Sequence, residues 1–386
     1  MFLACALPVK NEAKTIATTI DSLVGCDAIL VYDTGSTDGT LDVAREALAR
    51  WRLVRGEIAP GEFVDYAQMR NAAHDVAVRT FDPTWILSMS ADERLCGDPV
   101  ELRTFLSSCE DDVALIEVRT PSGMIDFPRF LRARSKWRYE GVIHECPCDS
   151  ENPTRAPTAR APGWIEYQPS DPARNIRRLR ERDVPLLMKE VEDTVDPTRR
   201  ARAILHLAGA QEALATEDGD LTVAVRSQTM ASALGWYLLA AVEPSTPSEI
   251  RPQAIFRYVE VATALGIYLP HERLERLGVA AKLSPDAPEI AYSRAACFVD
   301  VATALPTNQR RRALEEGAAE ARRAAQVARA SVRDPAHPHD PRGLLWRPHL
   351  IEAMCEATLG SRAAATRAAA AGLAAGGPPE AFEEFK

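Results

Sequence analysis

The sequence lacks several things at once. No stretch of its 386 residues approaches the roughly 18 consecutive apolar residues of a membrane-spanning helix. No basic residue precedes the first apolar run in MFLACALPVKNEAK, so the pattern of a secretory signal is missing. Aromatic residues make up only 6% of the chain. The eight cysteines, Cys5, Cys26, Cys96, Cys109, Cys146, Cys148, Cys297 and Cys355, show no disulfide framework. Cys146 and Cys148 have no second ligand pair of the kind a zinc site needs. Reduced thiols and a cytoplasmic location without membrane attachment are therefore expected. Positive charge is not in excess either: 46 Lys and Arg stand against 55 Asp and Glu, a net charge of −9. That excludes a histone-like nucleic-acid binder but not a local basic patch. A hydrophobic content of 46% with 26% charged residues excludes a mostly disordered chain.

What is present reads as two regions. At roughly 150 residues per domain, the length fits two to three domains. Short apolar runs at 2–7, 28–32, 52–54 and 84–89 alternate with helical patterns at 11–24, 38–50 and 66–80. Such alternation predicts an α/β domain with a largely parallel sheet between helices. Further strands are expected at 113–118 and 127–132, followed by a proline-rich exit over 148–172. From Arg174 the character changes to amphipathic Ala-, Leu- and Arg-rich segments of 12–18 residues. These predict helices at 174–192, 198–215, 221–241, 249–266, 270–282, 286–303, 308–331, 346–359 and 361–374, with a loop at 333–343 and a loose end. Paired helices of this kind suggest a degenerate array, since tetratricopeptide repeats have a period of about 34 residues. The boundaries are placed at 1–168 and 169–386.

The segment ILVYDTGSTDGT, residues 29–40, carries the most chemical information. A strand ends at Tyr32, Asp33 follows, and a glycine- and hydroxyl-rich turn leads into a helix. Ligands of open α/β sheets bind beyond the carboxyl ends of strands. Asp33 stands there as an acceptor for a base or ribose, and Gly35 lets the backbone approach a ligand closely. Four other segments stand out: Pro8-Val9-Lys10-Asn11-Glu12, Arg70-Asn71, WILSMSADERL at 85–95, and RYEGVIHE at 138–145.

In order and spacing over residues 8–145 these motifs resemble glycosyltransferase family 2 of GT-A fold. The branch that the chain is similar to follows a short GT-A domain with tetratricopeptide-like helices. The resemblance implies a Rossmann-like mixed sheet and a nucleotide-diphosphate sugar donor, UDP-linked. It implies that Asp33 contacts the base and that Pro8, Lys10, Asn11 and Glu12 lie along the nucleoside. Asp38 becomes a structural or nucleotide-shell acid, and Arg70 pairs with phosphate or with the acidic cluster. The D-x-D motif of the family holds a divalent metal, Mn2+ or Mg2+, which neutralises the leaving diphosphate.

Here that motif reads Ser90-Ala91-Asp92-Glu93, so its first carboxylate is a serine. Three readings follow: a metal held by Asp92 with His144 as a further ligand, a metal-free site using Arg129, Arg132 or Lys136, or an inactive domain whose helical array binds proteins. Glu145, shared with Asp92, is the candidate catalytic base. Trp137 is a candidate platform for the sugar or acceptor. Two arginine-rich strips, 129–138 and 174–182, either form solvated faces or hold phosphate, so hydroxymethylated DNA stands as an alternative acceptor. The favoured function is inverting transfer of a hexose to a peptide or protein side chain, with a homodimer left open. His206 is expected in a helix contact, and His337, His339 and His349 near a loop.

Overall fold

The apolar run Leu3–Val9 forms β1, and every one of its residues is buried. In this computed structural model it is the centre of the first of two compact units, Met1–Arg178 and Leu179–Lys386. The structure describes all residues except 52–53, 121–122, 153–154, 169–171, 249, 331–340 and 386. The first unit contains β1, α1 (Ile16–Ser22), β2 (Ala28–Asp33), α2 (Thr40–Arg50), β3 (Arg55–Pro60), α3 (Tyr66–Phe81) and β4 (Trp85–Ser88). It continues through β5 (Glu93–Cys96), α4 (Pro99–Ser108), β6 (Val113–Thr120), β7 (Gly123–Arg132), β8 (Trp137–Glu140), β9 (Cys146–Asp149), β10 (Ala159–Tyr167) and α5 (Pro172–Arg178).

Eight strands form one mixed sheet in the order β3-β2-β1-β4-β7-β6-β10-β5, while β8 and β9 pair separately. The first four are parallel; β7 and β5 run antiparallel to their neighbours. Alternation along the strands sorts the side chains between two faces. Leu3, Cys5, Leu7, Ile29, Val31, Trp85 and Leu87 share one core with α1 and α4 residues. Ala4, Ala6, Leu30, Tyr32 and Ile86 share the other with α3.

The sheet departs from the sequence expectation in two places. The strand expected at 52–54 overlaps residues 52–53, outside the described set; β3 lies at Arg55–Pro60 instead. Its residues are mostly exposed, as befits an edge strand with little apolar signal. The expected exit over 148–172 contains β10, which is interior to the sheet between β6 and β5. Its register shifts between Arg160 and Trp164, where Pro162 and Gly163 sit. An irregularity of this kind admits a proline inside a sheet. Gly163 has φ +88, and a Cβ there would lie 2.4 Å from the Cys96 carbonyl oxygen.

The second unit is helical. A π-helical turn, Leu179–Asp183, leads into α6 (Val184–Asp193). Then come α7 (Pro197–Glu217), α8 (Val223–Val242), α9 (Arg251–Ala264), α10 (Pro270–Leu283), α11 (Pro288–Ala304), α12 (Arg310–Ala330), α13 (Pro341–Thr358) and α14 (Arg362–Ala374). Each packs on the next from α6 to α14, as in tetratricopeptide-like arrays. The helices match the expected segments closely because burial recurs at helical spacing. Asp196 and Thr222 cap α7 and α8 by accepting from the Arg199 and Val225 amides. His337 and His339 lie outside the described residues. His349 is buried in α13, where Arg329 Nη2 is 3.2 Å from its Nε2. The end of the chain is not loose: Phe382 is fully buried, over Gly372 and Gly377 and edge-on to Trp346. Among the described residues no helix is long and apolar enough to cross a membrane. All eight cysteines are free.

Candidate active site

β1 and β4 part at their carboxyl ends. Their pairing ends at Ala6 and Ser88, with the Met89 amide donating to the Ala6 carbonyl. The next ladder bond would need an N–H from Pro8, which has none. Pro8 therefore stays buried in β1 opposite Tyr32 while β4 turns away.

Two loops lock together beside this opening. Asn11 has φ +57, a conformation asparagine tolerates better than most residues. Its amide donates to Ser36 Oγ at 2.9 Å, and its side-chain oxygen accepts from the Thr37 amide at 2.8 Å. The Glu12 amide donates to Thr40 Oγ1 at 2.7 Å, and the Ala13 amide to Asp38 at 3.2 Å. Asp33 turns its carboxylate onto its own loop, accepting from the Gly35 and Ser36 amides at 3.1–3.2 Å. Gly35, at φ +96, makes that turn possible. Asp38 accepts from the Thr40 hydroxyl and amide. Against a desolvation cost, these bonds and the one from Ala13 hold its carboxyl below the usual range. Asp38 is thus a structural acid that ties the two loops.

Three arginines each take one carboxylate. Arg70, on α3 and buried, pairs through Nε with Glu145 and donates to the Ser88 and Ser90 hydroxyls at 3.1 Å each. Arg129 of β7 pairs with buried Glu93 at 2.6 Å. Glu93 also accepts from the Ser90 amide at 2.7 Å. Arg174 of α5 grips Glu12 with both terminal nitrogens, at 3.0 and 2.6 Å.

Asp92 is the exception. It is 9% exposed and forms no ion pair among the described residues. Burial first, then the charges of Glu93 and Glu12, raise its pKa to about 6; the field of Arg178 only partly offsets them. A buried carboxylate with an uncompensated charge is the place where a cation is most favourable. Mg2+ and similar ions need only one or two protein carboxylates when substrate phosphates and waters complete the shell. Asp92 fits that requirement.

Several expected roles need correction. Burial opposes ionisation of Glu145, but Arg70 more than compensates and holds its carboxyl below the usual range. A carboxylate so held is a weak proton acceptor, which argues against Glu145 as base. His144 is exposed at φ +56 in the turn between β8 and β9. Among the described residues no group of three or more His, Cys, Asp or Glu could hold a metal. Trp137 is 2% exposed in a core with Ala67, Val113, Leu131 and Tyr139, so it presents no face to a sugar. The first basic strip is paired mostly at the surface. Arg129, Arg134, Lys136 and Arg138 pair with Glu93, Asp82, Glu151 and Asp75, and Arg132 lies over the Trp85 ring. In the second, Arg174, Arg180 and Arg182 pair with Glu12, Asp218 and Asp183.

Ala91 is buried and its carbonyl accepts from the Thr19 hydroxyl at 2.7 Å; Lys10 is exposed at the end of β1. Sequence reasoning gave Asn71 no role of its own. Its amide group donates to the Tyr139 carbonyl and accepts from the Tyr139 amide, both at 2.9 Å, which docks β8 on α3 and brings Glu145 to Arg70. Only its place beside Arg70 hinted at a function. Ser88 gave no signal.

Residues 5–94 match the family described as Glycosyl transferase family 2. The matched segment runs from within β1 to the start of β5 and contains Asn11, Asp33, Arg70 and Asp92. A TPR repeat-containing protein of Synechococcus elongatus is 29% identical over 246 residues, 58% of this chain and 57% of the relative. The chain thus matches little more than half the length of that protein. Among solved structures, S. aureus TarS superposes with a TM-score of 0.36 and 15% identity, over 69% of this chain and 93% of that one. Mannosyltransferase PcManGT from Pyrobaculum calidifontis, in complex with GDP-Man and Mn2+, gives 0.33 and 16%, over 76% and 86%. Likenesses this weak do not bear on the function of the chain.

Proposed function

We propose that the protein is an inverting glycosyltransferase. It moves a hexose from a UDP-linked sugar to a macromolecular acceptor, a peptide or protein side chain, in the cytoplasm. The observation that carries this reading is Asp92, a buried carboxylate without an ion pair in a family 2 domain whose other site carboxylates are already engaged. Asp92 would hold Mn2+ or Mg2+ together with the donor diphosphate. Such an ion neutralises charge that develops on the leaving diphosphate. The surrounding residues supply position. Asp33 retains acceptor capacity for the base or ribose beyond its two loop amides. Asn11 and Glu12 fix the loop along the nucleoside, and Arg70 holds Ser88, Ser90 and Glu145 as one rigid wall. The helical array supports a macromolecular acceptor, since stacked helices offer extended binding surfaces. The peptide acceptor is kept ahead of hydroxymethylated DNA because an extended helical array suits an extended polypeptide.

The test is incubation with UDP-sugars and Mn2+ against a peptide library and hydroxymethylated DNA, read by mass spectrometry. Gain of one hexose on peptide supports the reading. Transfer to DNA alone would replace the acceptor. No donor turnover with any nucleotide sugar would overturn the activity.

A further inference from the structure

Arg174 comes from α5, far along the chain from the loop it grips. Its Nη1 and Nη2 take the two oxygens of Glu12, and Nη2 also donates to the Lys10 carbonyl at 3.0 Å. Those three bonds fix the guanidinium plane. A guanidinium has five N–H donors, so two remain, the Nε–H and one on Nη1. No described residue accepts from either. The side chain is 38% exposed and lies within the electrostatic reach of both Asp92 and Asp38. An arginine that is oriented by one carboxylate, keeps free donors and feels the charge of the site carboxylates is pre-organised for a second anion.

We propose that Arg174 binds the diphosphate of the nucleotide donor with its free N–H groups while Glu12 holds it in place. This rests on the nucleotide-sugar reading above. The alternative role is a purely structural one, in which the arginine only ties α5 to the Lys10–Glu12 loop. The two roles differ in which part of the ligand feels the loss. A diphosphate contact discriminates between a nucleoside diphosphate and its nucleoside. A structural tie supports the loop along the nucleoside and affects both alike.

The experiment measures UDP and uridine binding, with GDP and guanosine in parallel, in the presence of Mn2+. Calorimetry reads the diphosphates and ligand-observed NMR reads the nucleosides. The full-length wild type is compared with Arg174→Gln and Arg174→Lys. The proposal expects Arg174→Gln to weaken the diphosphate about tenfold or more, the scale of a charged hydrogen bond. Nucleoside binding should stay unchanged. Arg174→Lys, which keeps the charge but loses the fork, should fall between, and it serves as the test if the glutamine variant does not fold. Equal losses for diphosphate and nucleoside, or no loss for either, would overturn the assignment while leaving the nucleotide-sugar reading intact. A wild type that binds no nucleoside diphosphate would overturn both.

Discussion

Replacing Asp92 by asparagine should make the ligand-free protein more stable near neutral pH. The carboxyl is raised from its ordinary 3.8 to about 6 by burial and by Glu93 and Glu12. The folded state therefore holds a proton more tightly than the unfolded chain. Below about pH 4 both states are protonated and Asp92 costs nothing. As pH rises from about 4 to 6 the folded state loses stability, and above about 6 the loss is complete. At 1.36 kcal/mol per pKa unit, the full cost is about 3 kcal/mol. Asparagine has nearly the same shape and no charge, so D92N removes that cost. A domain of this size shifts by about 2–4 °C per kcal/mol. The variant should then melt about 6–12 °C above wild type at about pH 8, with the gap shrinking towards about pH 4. Saturating Mn2+ and a nucleoside diphosphate should close the gap from the other side, by stabilising wild type alone. Thermal melting across this pH range, with and without ligand, is the assay. A D92N protein that melts below wild type at about pH 8, or a gap that ignores pH, would show that the Asp92 charge does not destabilise the fold.

Other substitutions probe the neighbouring groups. E145Q should destabilise the protein by about 3–5 kcal/mol, because it leaves buried Arg70 without its counter-charge; an unchanged melting temperature would contradict the pairing. S90D should not strengthen Mn2+ binding, because the position 90 side chain faces Arg70 Nη2; a clear gain in metal affinity by calorimetry would show that the introduced carboxylate turns towards Asp92. W137A should cost about 3–5 kcal/mol in chemical denaturation as a core truncation. Donor affinity of the folded W137A protein should match wild type, and a selective loss of donor binding would restore Trp137 to the site.

How much was legible in the sequence follows from what each residue depends on. β1, β2 and β4 are apolar runs that bury on both faces, and the helices of the second unit repeat at helical spacing, so local pattern was enough. β3, written RGEIAP, lies at an edge and carries little apolar signal. β10 was hidden by Pro162, because an interior strand normally excludes proline and the irregularity that admits it is a tertiary feature. In the site, the residues were visible in the strand-end motifs, but their partners were not. Glu145 reads as a free base until Asn71 docks β8 and presents it to Arg70. Arg174 lies 162 residues from Glu12, beyond any local pattern. Trp137 reads as a platform for the sugar or acceptor, yet tertiary packing buries it.

We propose that Asp92 recruits a metal and a nucleoside diphosphate to the strand ends where β1 and β4 part. The decisive experiment is calorimetric titration of wild type and D92N with UDP and UDP-glucose, each in Mn2+ and in EDTA. Binding to wild type is expected to need Mn2+ and to disappear in D92N. Binding that survives both EDTA and D92N would contradict it and move the diphosphate contact onto the arginines, whereas no binding of any nucleoside diphosphate would remove the donor site altogether.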